Sequence, residues 1–429
     1  MLTPSCRQLT LLSLPFDVHS TNEILQGRAL GVSHNAKAAS LPHSQLLPSF
    51  PIFYQIQQRP PSSQVVSTTM TLPPFLIFLL ALFLPLFTSA TYVLKDDYTA
   101  SSYSTFFSKF TFWTDEDPTE GYVDYVSENA AWEHGLIGNG GHIYLGVDHS
   151  DIAWGRGRKS VRLTSRDEYD SGTIVVVDVL HMVRFHLSHK PCTVITPMSS
   201  VIQLHKLIPP PSQPSTCGTW PALWLTSSAP TWPTNGEIDM IEQANAHPLN
   251  QISIHVKNTC LVNPSPNMTG HPERLDNCAH SSSSGCAIND ARTTSFGHAF
   301  NAIGGGVYAL EWTTSKISVW FWPRGTYTAA EFHPFHPHPR PGEWGPAVAV
   351  YEGREGGGRV GCDIEAAFRK QRIVINTTFC GAWAGGTWES SGCRERTGFG
   401  SCEEYVRMRP GEMGDAWWGI RGLRVYTWE

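Results

Sequence analysis

The sequence predicts an all-β protein, a sandwich or barrel of antiparallel sheets. Three observations carry this. Five runs are rich in β-branched and aromatic residues: GTIVVVDV (172–179), QISIHV (251–256), KISVWFW (316–322), QRIVIN (371–376) and GLRVYTW (422–428). Turn-forming clusters at 138–141, 281–285, 304–306 and 356–358 punctuate the chain. No long segment spaces its apolar residues at i, i+3, i+4 and i+7 between helix caps, and no solenoid-like repeat appears.

Composition narrows the function classes. The chain has 429 residues, 41% hydrophobic and 16% charged, with a formal net charge of −6. Its 31 Lys and Arg stand against 37 Asp and Glu, so there is no basic excess for nucleic acid or an anionic membrane. All 15 Trp fall from Trp113 onward, so the front of the chain differs in kind from its body.

The apolar core FLIFLLALFL (75–84), followed by Thr88-Ser89-Ala90, reads as a signal peptide spanning 70–90 and starting at Met70. It is shorter than the roughly 20 residues a spanning helix needs. Membrane contact is expected only if this run stays uncleaved as an anchor. Residues 1–69, with six charged residues and no sustained period, read as a disordered leader or an over-extended gene model. The stretch 183–213 has five Pro and no Asp or Glu, and it interrupts a strand. It reads as an intron translated in frame; the alternative is a genuine long surface loop. Cys6 and Cys192 lie in these segments, leaving eight cysteines, an even number that suits a secreted disulfide framework. Asn267-Met-Thr and Asn376-Thr-Thr are glycosylation sequons. Residues 91–429 are therefore the expected functional domain, extracellular and monomeric.

The most informative motif is GEIDMIEQAN (236–245). On a strand, Glu237 and Asp239 share one face while Ile238 enters the core. Glu242 lies at an odd offset from Glu237 and would point the other way. A one-residue bulge near Met240-Ile241 brings it back, and bulges are frequent beside active sites. Three carboxylates on one face repel unless charge is removed or function retains them. A retaining glycosidase uses two such groups, one nucleophilic and one holding a proton. The alternatives are an exposed acidic face or a Ca²⁺ site. Trp220, Trp224 and Trp232 precede the motif and offer flat apolar faces to sugar rings.

CGTWPALW (217–224), NGEIDMIEQAN (235–245) and INTTFCGAWAGG (375–386) together resemble the fungal laminarinases of glycoside hydrolase family 16, with interruptions, from about Thr91 to the C-terminus. The resemblance implies a concanavalin A-like β-jelly-roll sandwich of two antiparallel sheets with a cleft on the concave face. It implies an endo-β-1,3(4)-glucanase that retains anomeric configuration. Glu237 matches the nucleophile, Glu242 the acid/base and Asp239 the assisting carboxylate between them. His255, Trp220, Trp224, Trp232 and Arg162 are the candidate substrate-binding residues. No cofactor or metal is implied. A cell-wall glucan transglycosylase and a non-catalytic glucan-binding module are the alternatives. This chain departs from the pattern at 183–213, in the stretch 351–361, and at Ala382, where relatives commonly carry Asp.

Overall fold

Each of the five β-branched and aromatic runs forms a strand: Thr173–His181, Gln251–His255, Lys316–Pro323, Gln371–Phe379 and Trp418–Trp428. The computed structural model describes residues 91–183, 217–228, 231–275, 277–280, 285–326, 336–353 and 361–429. The chain divides into two units, Met1–Leu84 and Pro85–Glu429, and every described residue belongs to the second. The expected leader, the signal peptide and all of 183–213 but Val183 lie outside the described residues. Among those residues no helix is long and apolar enough to cross a membrane.

Two large antiparallel sheets pack face to face as a jelly roll. Among the described residues, the first has nine strands. Its central order is Lys316–Pro323, Gly306–Trp312, Thr173–His181 and Trp418–Trp428, with Tyr92–Asp97 also pairing on the last. The second has eight, in the order His271–Arg274, Cys286–Asn289, Gln251–His255, Glu237–Glu242, Thr219–Ser227, Gln371–Phe379, Arg162–Ser165 and Phe110–Phe112. Alternation along each strand builds the core. Leu223, Leu225, Ile238, Ile252, Ile254, Ile373 and Ile375 from the second sheet meet Val175, Val177, Leu310, Val319, Leu423 and Val425 from the first. Every second residue of the second sheet therefore points away from this core, and those residues form the floor of a cleft.

The ends of the cleft strands are anchored covalently. Cys217–Cys393 and Cys380–Cys402 tie the starts and ends of two central strands to the C-terminal helical turns. Cys260–Cys362 and Cys278–Cys286 hold the opposite end. All eight cysteines outside the two set aside in the sequence are thus paired.

A buried cation fastens a loop to a helix far along the chain. Arg158 is fully buried. Its guanidinium pairs with Asp148 at 2.9 Å and donates to the carbonyls of Asp148, Asp151, Val406 and Arg407. It thereby joins the loop 148–157 to the helix Cys402–Met408. Truncating one partner of a buried charge pair strands the other. We expect Arg158→Ala to cost about 3–5 kcal/mol in urea unfolding, and Arg158→Lys to recover little of it because an ammonium lacks the fork. A loss under 1 kcal/mol, roughly that of a surface pair, would refute the fastening role.

Candidate active site

The acidic motif forms the strand Glu237–Glu242, central in the second sheet. Its pairing shows the expected bulge. Against the following strand, Asp239 faces Ser253 and Glu242 faces Gln251, three residues opposite two. Against the preceding strand the slip falls between Asp239 and Ile241. Met240 and Ile241 are both fully buried, and Glu242 returns to the cleft side with Glu237 and Asp239.

A bulge frees backbone groups, and a single side chain satisfies them here. Asn250, fully buried, donates from Nδ2 to the Met240 carbonyl at 3.0 Å and accepts the Glu242 N–H on Oδ1 at 3.0 Å. It is itself fixed by Ser295 Oγ and by the Asp290 N–H. Just before the strand, Gly236 has φ +76°, and a Cβ there would lie 2.4 Å from the Phe368 ring. Only glycine fits, and it sets the path from Trp232 into Glu237.

The outer carboxylates each receive an indole N–H. Trp232 Nε1 donates to Glu237 Oε2 at 2.7 Å, and Trp220 Nε1 donates to Glu242 Oε1 at 2.8 Å. These tryptophans hold the carboxylates as well as walling the cleft. Asp239, between them, pairs with His255, Nε2 to Oδ2 at 3.3 Å, and polar atoms of Glu237, Asp239 and His255 all lie within 4.8 Å of one another. The register explains this: Glu237 faces His255 across the ladder, and the imidazole reaches diagonally to Asp239. His255 thus sits beside the trio on the same face of the sheet, near the Trp232 ring, though it is not among the residues that line the cleft.

Burial dominates the electrostatics. It pushes Glu237 and Glu242 up to about 8, and the neighbouring Asp239 charge adds to both shifts. The indole bonds and His255 oppose the rise. Asp239 is driven well above its ordinary value by burial. The three groups cannot all ionise cheaply at neutral pH.

The cleft, about 570 Å³, is lined by all three acids and by Trp220, Trp224, Trp232 and Arg162. Four of the five expected binding residues thus reach its wall. Other lining residues escaped the sequence reading, Trp113, Asp117 and Asn376 among them. Arg162 lies between two rings, 4.7 Å from Trp113 and 5.1 Å from Trp224, with Asp117 3.7 Å from its Nη1. Asn376 accepts the Trp224 N–H at 2.8 Å and donates to Tyr125 Oη at 3.0 Å. This corrects its reading as a glycosylation site, because its amide is buried and already bonded. Asn267 is exposed. Ala382 is exposed beside Trp383, whose ring meets Trp220 edge-on at 5.6 Å.

Two predictions follow from this geometry. Asn250→Ala should cost about 1–3 kcal/mol, the price of orphaned buried groups, and a crystal structure of the variant should show Glu242 displaced. An unmoved Glu242 would show that packing alone sets the bulge. For Glu237, the ordinary value of 4.5 rises to about 8 on folding, so the folded chain keeps a proton that the unfolded chain releases. Its contribution is full below the lower value and is lost as pH rises through the upper one. Glu237→Gln should therefore raise Tm over wild type little near about pH 5 and by several degrees near about pH 8. A pH-independent difference would contradict the shift.

Known proteins share this architecture. A family model described as an XgeA-like catalytic domain of glycoside hydrolase family 16 matches residues 110–189 and 211–426. An endo-1,3(4)-beta-glucanase of Arthroderma benhamiae is 36% identical over 346 residues, covering 79% of this chain and 65% of its own. Endo-1,3(4)-beta-glucanase xgeA of Emericella nidulans is 33% identical over 328 residues, covering 74% and 45%. The chain thus spans 45% to 65% of the length of these two relatives. Laminarinase 16A from Phanerochaete chrysosporium, whose structure holds 6-O-glucosyl-laminaritriose in donor and acceptor sites, superposes with a TM-score of 0.64 at 33% identity, over 79% of this chain and 100% of that one. An elongating family 16 beta-1,3-glucosyltransferase superposes with a TM-score of 0.63, also at 33% identity and with the same coverage. With its bulged strand of three acids in the cleft of a jelly roll, the chain belongs to glycoside hydrolase family 16.

Proposed function

We propose that the chain is a secreted endo-β-1,3(4)-glucanase that cleaves internal β-1,3 bonds with retention. The observation that carries this is the carboxylate trio, in which two indole N–H groups hold the outer acids in a tryptophan-lined cleft. Glu237 attacks the anomeric carbon, forming a C1–O ester bond. The C1–O bond to the leaving sugar breaks, and Glu242 supplies the proton that the departing oxygen takes. Glu242 then removes a proton from water. The water oxygen bonds to C1, the ester breaks, and Glu237 leaves as carboxylate. The raised affinity of Glu242 for its proton suits the first step. The Trp232 N–H and His255 favour the ionised form of Glu237 that attacks. Asp239, between Glu237 and Glu242, pairs with His255. Arg162, Trp220, Trp224 and Trp232 bind the glucan.

The four disulfides support an oxidising destination, and with it cleavage of the apolar run at 75–84 as a signal. The family match breaks off between 190 and 210, inside 183–213, which supports reading that stretch as an insertion. The substrate partner is a β-glucan, acted on by a monomer that binds no nucleic acid.

A second reading is glucosyl transfer, in which a sugar hydroxyl replaces water. The similarity to an elongating β-1,3-glucosyltransferase favours keeping it in the test. Glu237→Gln should abolish turnover of soluble β-1,3-glucan while the variant still binds it. Proton NMR of wild type should show the β-anomer first. Early α-anomer would remove Glu237 as nucleophile, and products longer than the substrate would establish transfer.

A further inference from the structure

We propose that Trp154 is an outer glucan-binding platform, outside the cleft and braced to its Trp113 segment, that takes the polymer as it leaves the cleft. Trp154 is the most exposed large hydrophobic residue among those described, at 70%. Its indole face is open to a ligand, and the way the fold holds that face and joins it to the cleft is what points to one. The inference rests on the glucanase reading above, because it names further ground for the same polymer.

The ring is not on a loose loop. Residues 154–157 form a tight turn closed by a bridge between Trp154 and Gly157. Gly157 has φ +133°, and a Cβ there would lie 2.1 Å from the Tyr122 carbonyl carbon, so the turn is pressed against the neighbouring chain. Tyr122 Oη donates to the Ala153 carbonyl at 3.1 Å, the Ala153 N–H donates to the Arg407 carbonyl at 3.2 Å, and Arg158 follows directly with its buried bonds. The Arg407 guanidinium lies 5.6 Å from the Trp154 ring centre. A platform held this way loses little freedom when a sugar stacks on it.

Its link to the cleft is a shared carbonyl. Asp115 O accepts Arg156 Nη2 at 2.6 Å and Trp113 Nε1 at 3.1 Å. Arg156 also donates to Thr114 O at 3.0 Å. The turn that carries Trp154 and the segment that carries cleft-lining Trp113 and Asp117 are therefore one braced rim. Arg407 lies beside the ring with a guanidinium that can donate to sugar hydroxyls. A long neutral chain continuing past Trp113 is the occupant that this continuity favours.

The test is native electrophoresis through gels containing soluble β-1,3-glucan, beside kinetics on that polymer and on a β-1,3-linked glucotetraose. Trp154→Ala should weaken retardation by about five- to tenfold in apparent Kd, the worth of one lost apolar face. Its kcat/KM should fall by more on polymer than on tetraose, and Trp154→Phe should recover part of both. Equal retardation of wild type and Trp154→Ala, with matched Tm, would overturn the platform while leaving hydrolysis intact. So would loss of self-association in sedimentation without a change in retardation, which would assign the ring to a second copy of the chain. Wild type that is retarded and sensitive to Trp154→Ala yet cleaves nothing would keep the platform and overturn the hydrolytic reading. Wild type that is not retarded would overturn the platform.

Discussion

The site depends on one side chain bridging one backbone irregularity. A regular strand would send Glu242 into the apolar interior, away from Glu237 and Asp239. The extra residue at Met240-Ile241 prevents that, at the cost of an unpaired carbonyl and an unpaired N–H in the middle of a sheet. Asn250 satisfies both with one amide, since the group carries a donor and an acceptor a fixed distance apart. No hydrophobic residue of similar size could do so. The geometry of three acids is thus held by a residue that touches none of their carboxyl groups.

That geometry is costly to the fold. Three buried carboxyls resist ionisation, and the protein accepts the strain where chemistry needs a held proton beside an available charge. The indole bonds temper it by favouring the charged forms of the outer pair. Tryptophan serves two purposes here, because its ring presents an apolar face while its single N–H points at an oxygen. The cost is covered elsewhere by a continuous core between the sheets and by disulfides at both ends of the cleft strands.

The segments around the cleft wall away from the acids are held by different physics. Arg162 is stacked between two indoles, and Arg158 is buried among main-chain carbonyls. In both places a planar cation organises segments distant in sequence, because its several donors point in fixed directions. One consequence is a rim stiff enough to hold an exposed indole in place.

Much of this was legible in the residues. Alternation and β-branching marked the five strands, and the odd offset from Glu237 to Glu242 demanded a bulge. The even set of eight cysteines announced pairing, though not which cysteine meets which. What escaped was whatever depends on residues meeting across the sheet. Asn250 reads as an ordinary loop asparagine, Trp113 as one more aromatic, and Asn376 as a sequon, until the register of the strands sets each beside its partner. The pairing of Asp239 with His255 likewise needs the ladder, which sets the two strands side by side. The sequence by itself determined the sheet class and the acidic motif of the candidate site, because period, spacing and residue type are local properties. Only the tertiary structure decided which groups hold those acids and which walls face the substrate, because hydrogen bonds and stacking join residues that the chain keeps up to hundreds of positions apart.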